Sequence, residues 1–465
     1  MNSKKVMAMG LAAVMLASGL AGCGGKSGEG EVDGKINITI SNWPDETNPN
    51  GQKNYEEYVA QMAEKRPDVN VIPDTTGYAD ARTFQMKAAA NQLPTTIQTH
   101  FTEIQKTIDS GYAADITKVM KERGYYDAIN PQVLELLKGK DGNLYCFPTN
   151  AYLQGLTLNK DLFTKAGLVN ADGSIKIPNT YQELAEYAQI IKQKTGVAGY
   201  AICTTNNCGG WHFMNIAWSF GVNFVKQRED GTWEATFNTP EAVEALQYVK
   251  DLKWKYDCLP DDSVINQNDL HKLFGVNQAA IIFEGPSNDY TAKYGMDPAN
   301  LVFGKMPQGP AGRYVQMGGA VRMFEPNITE DELNACIDWL EITGFSLNLD
   351  DATIENMKKG YQNTLDTKGI VVAKSAIPLW VNPERLDKEI EAKAEYVNVP
   401  VEQCENYWDT SDCIIRPEEP VLCQQMYAVL DGCIQEVLVN KDADCAALIA
   451  TACQDFQENH LDKEV

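Results

Sequence analysis

Alternation opens the informative part of the chain. Ile36, Ile38 and Ile40 fall on one side and Asn37, Thr39 and Ser41 on the other, which predicts a strand with one buried face. The period then changes: Tyr55, Tyr58, Val59, Met62 and Ala63 recur at helical spacing. "RPDVNVIP" returns to strand character, a helix is expected around Phe84–Gln92, and "TTIQTHF" reads as a third strand. Such alternation predicts an α/β lobe with a largely parallel sheet. Further on, Thr180 and Glu183 stand three apart as a capping box before the stripe Leu184, Tyr187, Ala188 and Ile191. Thr239 and Pro240 open a second helix whose inner face is Ala242, Ala245, Leu246 and Val249. "QAAIIFEG" reads as a buried strand and "KMPQGPAG" as a turn. The end is helical, with Leu422, Met426, Val429, Leu430 and Cys433 on one stripe and Cys445, Leu448, Ile449, Ala452 and Phe456 on the next.

The start of the chain follows another logic. Lys4 and Lys5 precede an apolar run from Val6 to Leu20. Its length, about 15 residues, falls short of the roughly 20 that span a bilayer. A basic start, a short apolar middle and a small-residue end mark a secretory leader, here residues 1–22. The "LAGC" that closes it resembles the lipobox of bacterial lipoproteins. That resemblance implies a diacylglycerol thioether on Cys23 and cleavage before it. Residues 23–34 are small and polar, a flexible tether. The expected location is the extracytoplasmic face of the cell membrane, held there by lipid at Cys23. No other run is long enough to span.

Composition narrows the choice. The chain has 465 residues, 44% of them hydrophobic, enough for two or three cored domains. A formal charge of -24 argues against a nucleic-acid partner, which needs clustered Lys and Arg. Twelve cysteines are present; with Cys23 lipidated an odd number remains. Cys336, with Leu333, Ile337 and Leu340, and Cys445 lie on apolar helical stripes and read as small core residues. Two pairs flank polar stretches and are disulfide candidates, Cys203 with Cys208 and Cys404 with Cys413. The four histidines are scattered and no C-x-x-C occurs, so neither a metal site nor a cofactor is expected.

Five segments stand in a telling order: "GLTLNKDLFTKAGL", "PNTYQEL", "FNTPEAVEALQYVKDL", "GVNQAAIIFEGP" and "PQGPAG". In this order, behind a lipobox, the chain resembles the family 1 extracellular solute-binding proteins that feed ABC importers, the maltose and oligosaccharide type. The resemblance implies a type II periplasmic-binding-protein-like fold of two interleaved α/β lobes around a hinge and cleft. The expected division is 35–150 plus 267–315 for one lobe and 151–266 plus 320–465 for the other. It implies a monomer that captures a small solute, a carbohydrate in the first instance, and hands it to the importer's membrane subunits. A lipid-anchored glycoside hydrolase, a structural adhesin and a receptor for a non-sugar solute are the alternatives. The first would need two carboxylates about 5–10 Å apart across a cleft; neither G-x-S-x-G nor H-E-x-x-H nor a P-loop occurs.

A sugar presents C–H faces and hydroxyls, so its site needs flat rings and paired hydrogen-bonding side chains. Ligands of open α/β sheets lie beyond strand C-terminal ends. That rule selects Trp43 and Asp45 after the first strand, and Phe101 and Glu103 after the third. Asn150 and Tyr152 sit before "GLTLNK", where the resemblance places a hinge crossing. Trp211 follows two glycines, in a region that bears a stacking ring in the family. Glu284 ends the "AIIFE" strand, and Gly285-Pro286-Ser287 stands where the family resembled often carries Gly-x-Trp, so one ring is missing. Gly318 and Gly319 are expected to let backbone amides approach a ligand, and Trp380 is a further ring candidate. Trp43 and Trp211 are expected to stack on the solute from opposite lobes.

Overall fold

A computed structural model describes residues 34–79 and 81–463. The leader, Cys23 and most of the tether lie outside the described residues. Eleven strands are described: β1 (Ile36–Ile40), β2 (Val69–Pro73), β3 (Thr96–His100), β4 (Cys146–Leu153), β5 (Leu156–Asn159), β6 (Val225–Gln227), β7 (Trp233–Ala235), β8 (Ile281–Phe283), β9 (Leu301–Gly304), β10 (Tyr314–Phe324) and β11 (Ile414–Pro417). The alternating segment that opens the chain is β1, with Ile38 and Ile40 wholly buried. It runs parallel to β2 and β3. The sheet is mixed, because β10 enters antiparallel to both β3 and β4. β11 pairs in parallel with the start of β10. A second sheet holds β5 between β8 and β9, and β6 and β7 form a separate hairpin.

The chain passes from the first sheet to the second between Leu153 and Leu156, and returns between Gly304 and Tyr314. At the first passage a Cβ on Gly155 would strike the Tyr407 ring and the Gly304 carbonyl. Tyr407 also donates its hydroxyl to the Leu153 carbonyl at 2.6 Å, bracing the passage.

The expected division of the lobes is corrected by these pairings. β8 and β9 hydrogen-bond to β5, so residues 281–304 belong with 151–266 and not with 35–150. Conversely, residues 330–393 return to the first sheet. The helix Glu330–Leu340 packs on β1, and its Asp338 accepts from Arg66 at 3.0 Å and Arg123 at 2.8 Å. Gln61 and Asn356 exchange amide hydrogen bonds, and Lys359 pairs with Glu57. The chain then rejoins the second lobe, where helices Cys423–Val439 and Cys445–Asn459 pack with Cys208–Phe220 and Pro240–Trp254. Apolar stripes predict that a segment is buried, not which sheet buries it.

Thr180 and Thr239 cap their helices as the spacing predicts. Cys203 and Cys208 form a disulfide, with Cα atoms 5.7 Å apart. Cys404 and Cys413 do not: both are free thiols, the first donating to the Pro400 carbonyl. Cys336 and Cys445 are buried, as their stripes predict.

Candidate functional site

Gly318 and Gly319 lie at the middle of β10, opposite Tyr152 and Ala151 of β4. Both glycines are buried. A Cβ on Gly318 would collide with the Tyr152 ring, and one on Gly319 with the Phe101 ring and the Asn150 carbonyl. Their expected role is therefore corrected. They do not bare backbone amides to a ligand; they let two aromatic rings lie flat against the strand.

Tyr152 meets Trp211 edge-on, with ring centroids 6.5 Å apart and planes at 85°. Phe101, Tyr152 and Trp211 are all half-buried. Trp211 stands in the first turn of the helix Cys208–Phe220, and three features hold that turn. The disulfide closes the loop before it. Asp431 accepts from the backbone amides of Asn207 and Gly210, each at 2.7 Å. Gly210 has no Cβ to strike the Tyr427 backbone, so the two helices approach closely. Burial pushes the Asp431 carboxyl up to about 6, although the amide bonds pull the other way.

Beside these rings lies Glu418, at the end of β11. Its carboxylate accepts the Tyr427 hydroxyl at 2.8 Å, and that hydroxyl accepts from Gln316 Nε2 at 2.9 Å. Enclosure pushes its pKa up to about 7, and the neighbouring Glu103 charge adds to the rise. Glu103 and Thr102 follow β3, and Thr102 Oγ1 sits 3.5 Å from Gln424 Nε2 of the opposite lobe. Two carboxylates and three rings from both lobes thus converge beside the first passage. Rings supply apolar faces and carboxylates accept hydroxyl or ammonium donors.

The other expected residues lie elsewhere. Asn150 is exposed on β4, paired with Ala320. Trp43 is half-buried but stacks on Trp339 of its own lobe, centroids 5.6 Å apart, with Tyr55 against its edge. Asp45 is exposed, and its Oδ1 accepts from the Thr47 amide and hydroxyl. Glu284 is buried and already supplied with donors by His271 at 2.6 Å, Tyr290 at 2.9 Å and Gln267 at 2.8 Å. Its expected contact with solute is corrected on that ground, since the carboxylate is 5% exposed and holds three donors inside its own lobe. Trp380 is corrected outright: it is 2% exposed and packed against Tyr125 and Phe147, a core ring. Cys203, Cys208 and His212 cluster closely enough to suggest a metal site. The sulfurs are spent on the disulfide, so the thiolates that would ligate are not there.

The sequence profile of the bacterial extracellular solute-binding proteins matches residues 48–324. The chain belongs to this family. Among its curated relatives is the sn-glycerol-3-phosphate-binding periplasmic protein UgpB of Escherichia coli K12, 28% identical over 206 residues, which are 42% of this chain and 44% of that one. The chain spans about half the length of the curated relatives it matches. Solved structures align over nearly the whole fold. The GacH receptor of Streptomyces glaucescens, studied unliganded and with acarbose, covers 92% of this chain and 98% of its own at TM-score 0.64 and 16% identity. Maltose-bound MalE3 of T. maritima covers 91% and 99% at TM-score 0.63 and 18% identity. These likenesses establish the two-lobed fold.

Glu418, Gln316, Tyr427 and Tyr78 escaped the sequence reading of this family member. Glu418 obeys the strand-end rule, but β11 is four residues of Ile-Ile-Arg-Pro and reads as loop. Tyr78 lies in an irregular segment, and its ring stacks on His100 at 4.5 Å and 9°.

Proposed function

We propose that the protein is the solute receptor of an ABC importer, and that it captures a carbohydrate between its two lobes. The observation that carries this reading is the convergence of Phe101, Tyr152 and Trp211 with Glu418 and Glu103 at the passage between sheets. Acarbose and maltose, named with two structures of the same fold, support the ligand class. In this reading the solute lays its apolar faces on the rings while its hydroxyls donate to the carboxylates. The lobes close by rotation about residues 153–156 and 304–314. Nothing in the sequence of events requires bond cleavage, and the receptor returns its solute unchanged to the importer. The lipid at Cys23 keeps it beside the membrane, and the protein acts as a monomer.

The test is a thermal-shift panel of maltose, longer malto-oligosaccharides, cello-oligosaccharides and sn-glycerol-3-phosphate, with chromatography of the sugars afterwards. A ligand at 100 times its Kd adds about 2.7 kcal/mol of stability. A saturable shift with an intact oligosaccharide is expected. A shift with sn-glycerol-3-phosphate alone overturns the carbohydrate assignment, and conversion of the sugar overturns the receptor assignment.

A further inference from the structure

Cys203, Cys208 and His212 form a buried cluster beside Trp211, and one donor atom of each lies within 4.8 Å of the other two. Cys208 and His212 stand four apart at the start of the helix Cys208–Phe220, so both side chains face the same side. Cys203 comes from a separate segment, which bridges β8 at Ala201. His212 Nδ1 is 3.5 Å from Cys203 Sγ. Its Nε2 is buried without a partner among the described residues. Burial pushes the pKa of this ring down to about 4, so at neutral pH it is uncharged and keeps a nitrogen lone pair. A buried imidazole whose polar contact is a sulfur costs the fold stability, and a metal held at Nδ1 offsets that cost.

With the disulfide closed, the sulfurs offer no thiolate. Opening it does not scatter them, because each side of the loop has its own anchors. The Thr204 amide donates to the Ile265 carbonyl at 2.8 Å, and the Thr204 hydroxyl to the Ser263 carbonyl at 2.9 Å. Asp431 holds the Asn207 and Gly210 amides on the other side. These bonds keep the two Cα atoms near their 5.7 Å separation. On tetrahedral zinc a thiolate sulfur and an imidazole nitrogen stand roughly 3.6 Å apart, and two thiolates roughly 3.8 Å. Cys203 Sγ and His212 Nδ1 already have the first spacing, and freeing the sulfurs from each other allows the second. The nine other cysteines among the described residues are free thiols, so this pair is the exception in a chain of reduced cysteines.

We propose that Cys203, Cys208 and His212 form a zinc site that exists only in the reduced protein. A dithiol reductant gives two electrons and two protons to the Cys203–Cys208 bond, which breaks to two thiols, and the reductant leaves as its own disulfide. Zinc then displaces both thiol protons to solvent and is bound by the two Sγ atoms and His212 Nδ1. Three protein donors leave the fourth position to water. Thiolate and imidazole select zinc over magnesium and calcium, which take oxygen donors. The ion replaces one cross-link at the start of this helix by another, whichever solute the lobes take.

Cobalt(II) titration tests it, because tetrahedral thiolate ligation gives cobalt strong visible bands and a sulfur-to-metal charge-transfer band. The protein is titrated oxidised, and again after a phosphine reductant that brings no thiol of its own. The reduced protein should take up one equivalent of cobalt with these bands, and zinc should abolish them. The oxidised protein and the reduced double variant Cys203→Ser/Cys208→Ser should show none, although both keep the nine other thiols. His212→Asn should bind cobalt at least about tenfold more weakly, since even outer-shell partners of a metal are worth that much. Melting curves verify that each sample is folded. Should the double variant not fold, the oxidised and reduced wild type and His212→Asn decide. Absence of the bands in the reduced protein, equal bands in the oxidised protein or the folded double variant, undiminished affinity in His212→Asn, or loss of cooperative melting on reduction overturns the site.

Discussion

Trp211 and Trp380 are the same residue type with opposite fates. Trp211 is half-buried beside Tyr152 in the proposed solute site, whereas Trp380 is closed in by Tyr125, Phe147 and the Arg385 guanidinium. Trp211→Ala should keep the fold and weaken solute binding by about 1.5–3 kcal/mol, roughly ten- to a hundredfold in Kd. Trp380→Ala should cost about 3–5 kcal/mol of stability and leave the affinity of the surviving folded protein unchanged. Melting curves and titration on both variants check the pair. Glu418 supplies a pH signature. Its carboxyl is raised from 4.5 to about 7 in the fold, so the folded state holds a proton that the unfolded chain has released. This group therefore contributes less stability as pH rises from about 4.5 to 7, and its full penalty is present above that. Glu103, Tyr427, Tyr152 and Cys423 are the titratable groups that surround it. The gain in melting temperature of Glu418→Gln over wild type should be larger at pH 8 than at pH 5. An equal difference at both pH values would show that Glu418 keeps an ordinary pKa. The sequence distinguishes neither these two tryptophans nor Glu418 from other acids, because enclosure by distant segments makes the difference.

At the scale of elements, the helix Cys208–Phe220 shows how Trp211, the proposed binding residue, is held. Its N-cap, Asn207, has a positive φ of 69° and no capping side-chain bond. The turn depends instead on the Cys203–Cys208 disulfide and on Asp431 from a helix more than two hundred residues later. Replacing both cysteines by serine should cost about 2 kcal/mol, the loop-closure entropy of so short a ring. Urea unfolding with and without reductant measures it: reductant should lower the wild-type midpoint and not that of the double variant. The disulfide was legible in "CTTNNC" because its ends are near in sequence. The equivalent reading of Cys404 and Cys413 failed, because eight residues of intervening chain fix no geometry. Strand and helix identity was legible wherever a clean period ran for a turn or more, as in β1 and the helices opened by Thr180 and Thr239. β11, short and ending in proline, carries no such period.

For the whole molecule, the proposed closure about the passages between the lobes has a measurable size. Small-angle scattering should show a smaller radius of gyration with saturating solute than without, and no change with a sugar that produces no thermal shift. Cys23→Ser should release the protein from membranes into the soluble fraction, as judged by fractionation and by loss of labelled lipid; continued lipid-borne partition would remove the anchor. The apolar periods and the caps gave the kinds of element, and the order of five segments gave the resemblance to a two-lobed family, since these are written within a few residues of each other. Which lobe owns residues 281–304 and 330–393 is not local information. It depends on β8 and β9 finding β5, and on Asp338 being buried against Arg66 and Arg123. The same limit applies to the site. Phe101 and Trp211 were candidates because a ring at a strand end and a ring after glycines carry a local signal, and Tyr152 because the family resemblance places a hinge crossing beside it. Only packing set those three beside Glu418, paired Glu284 with His271, and stacked Trp43 on Trp339, because proximity across hundreds of residues is decided by the tertiary core.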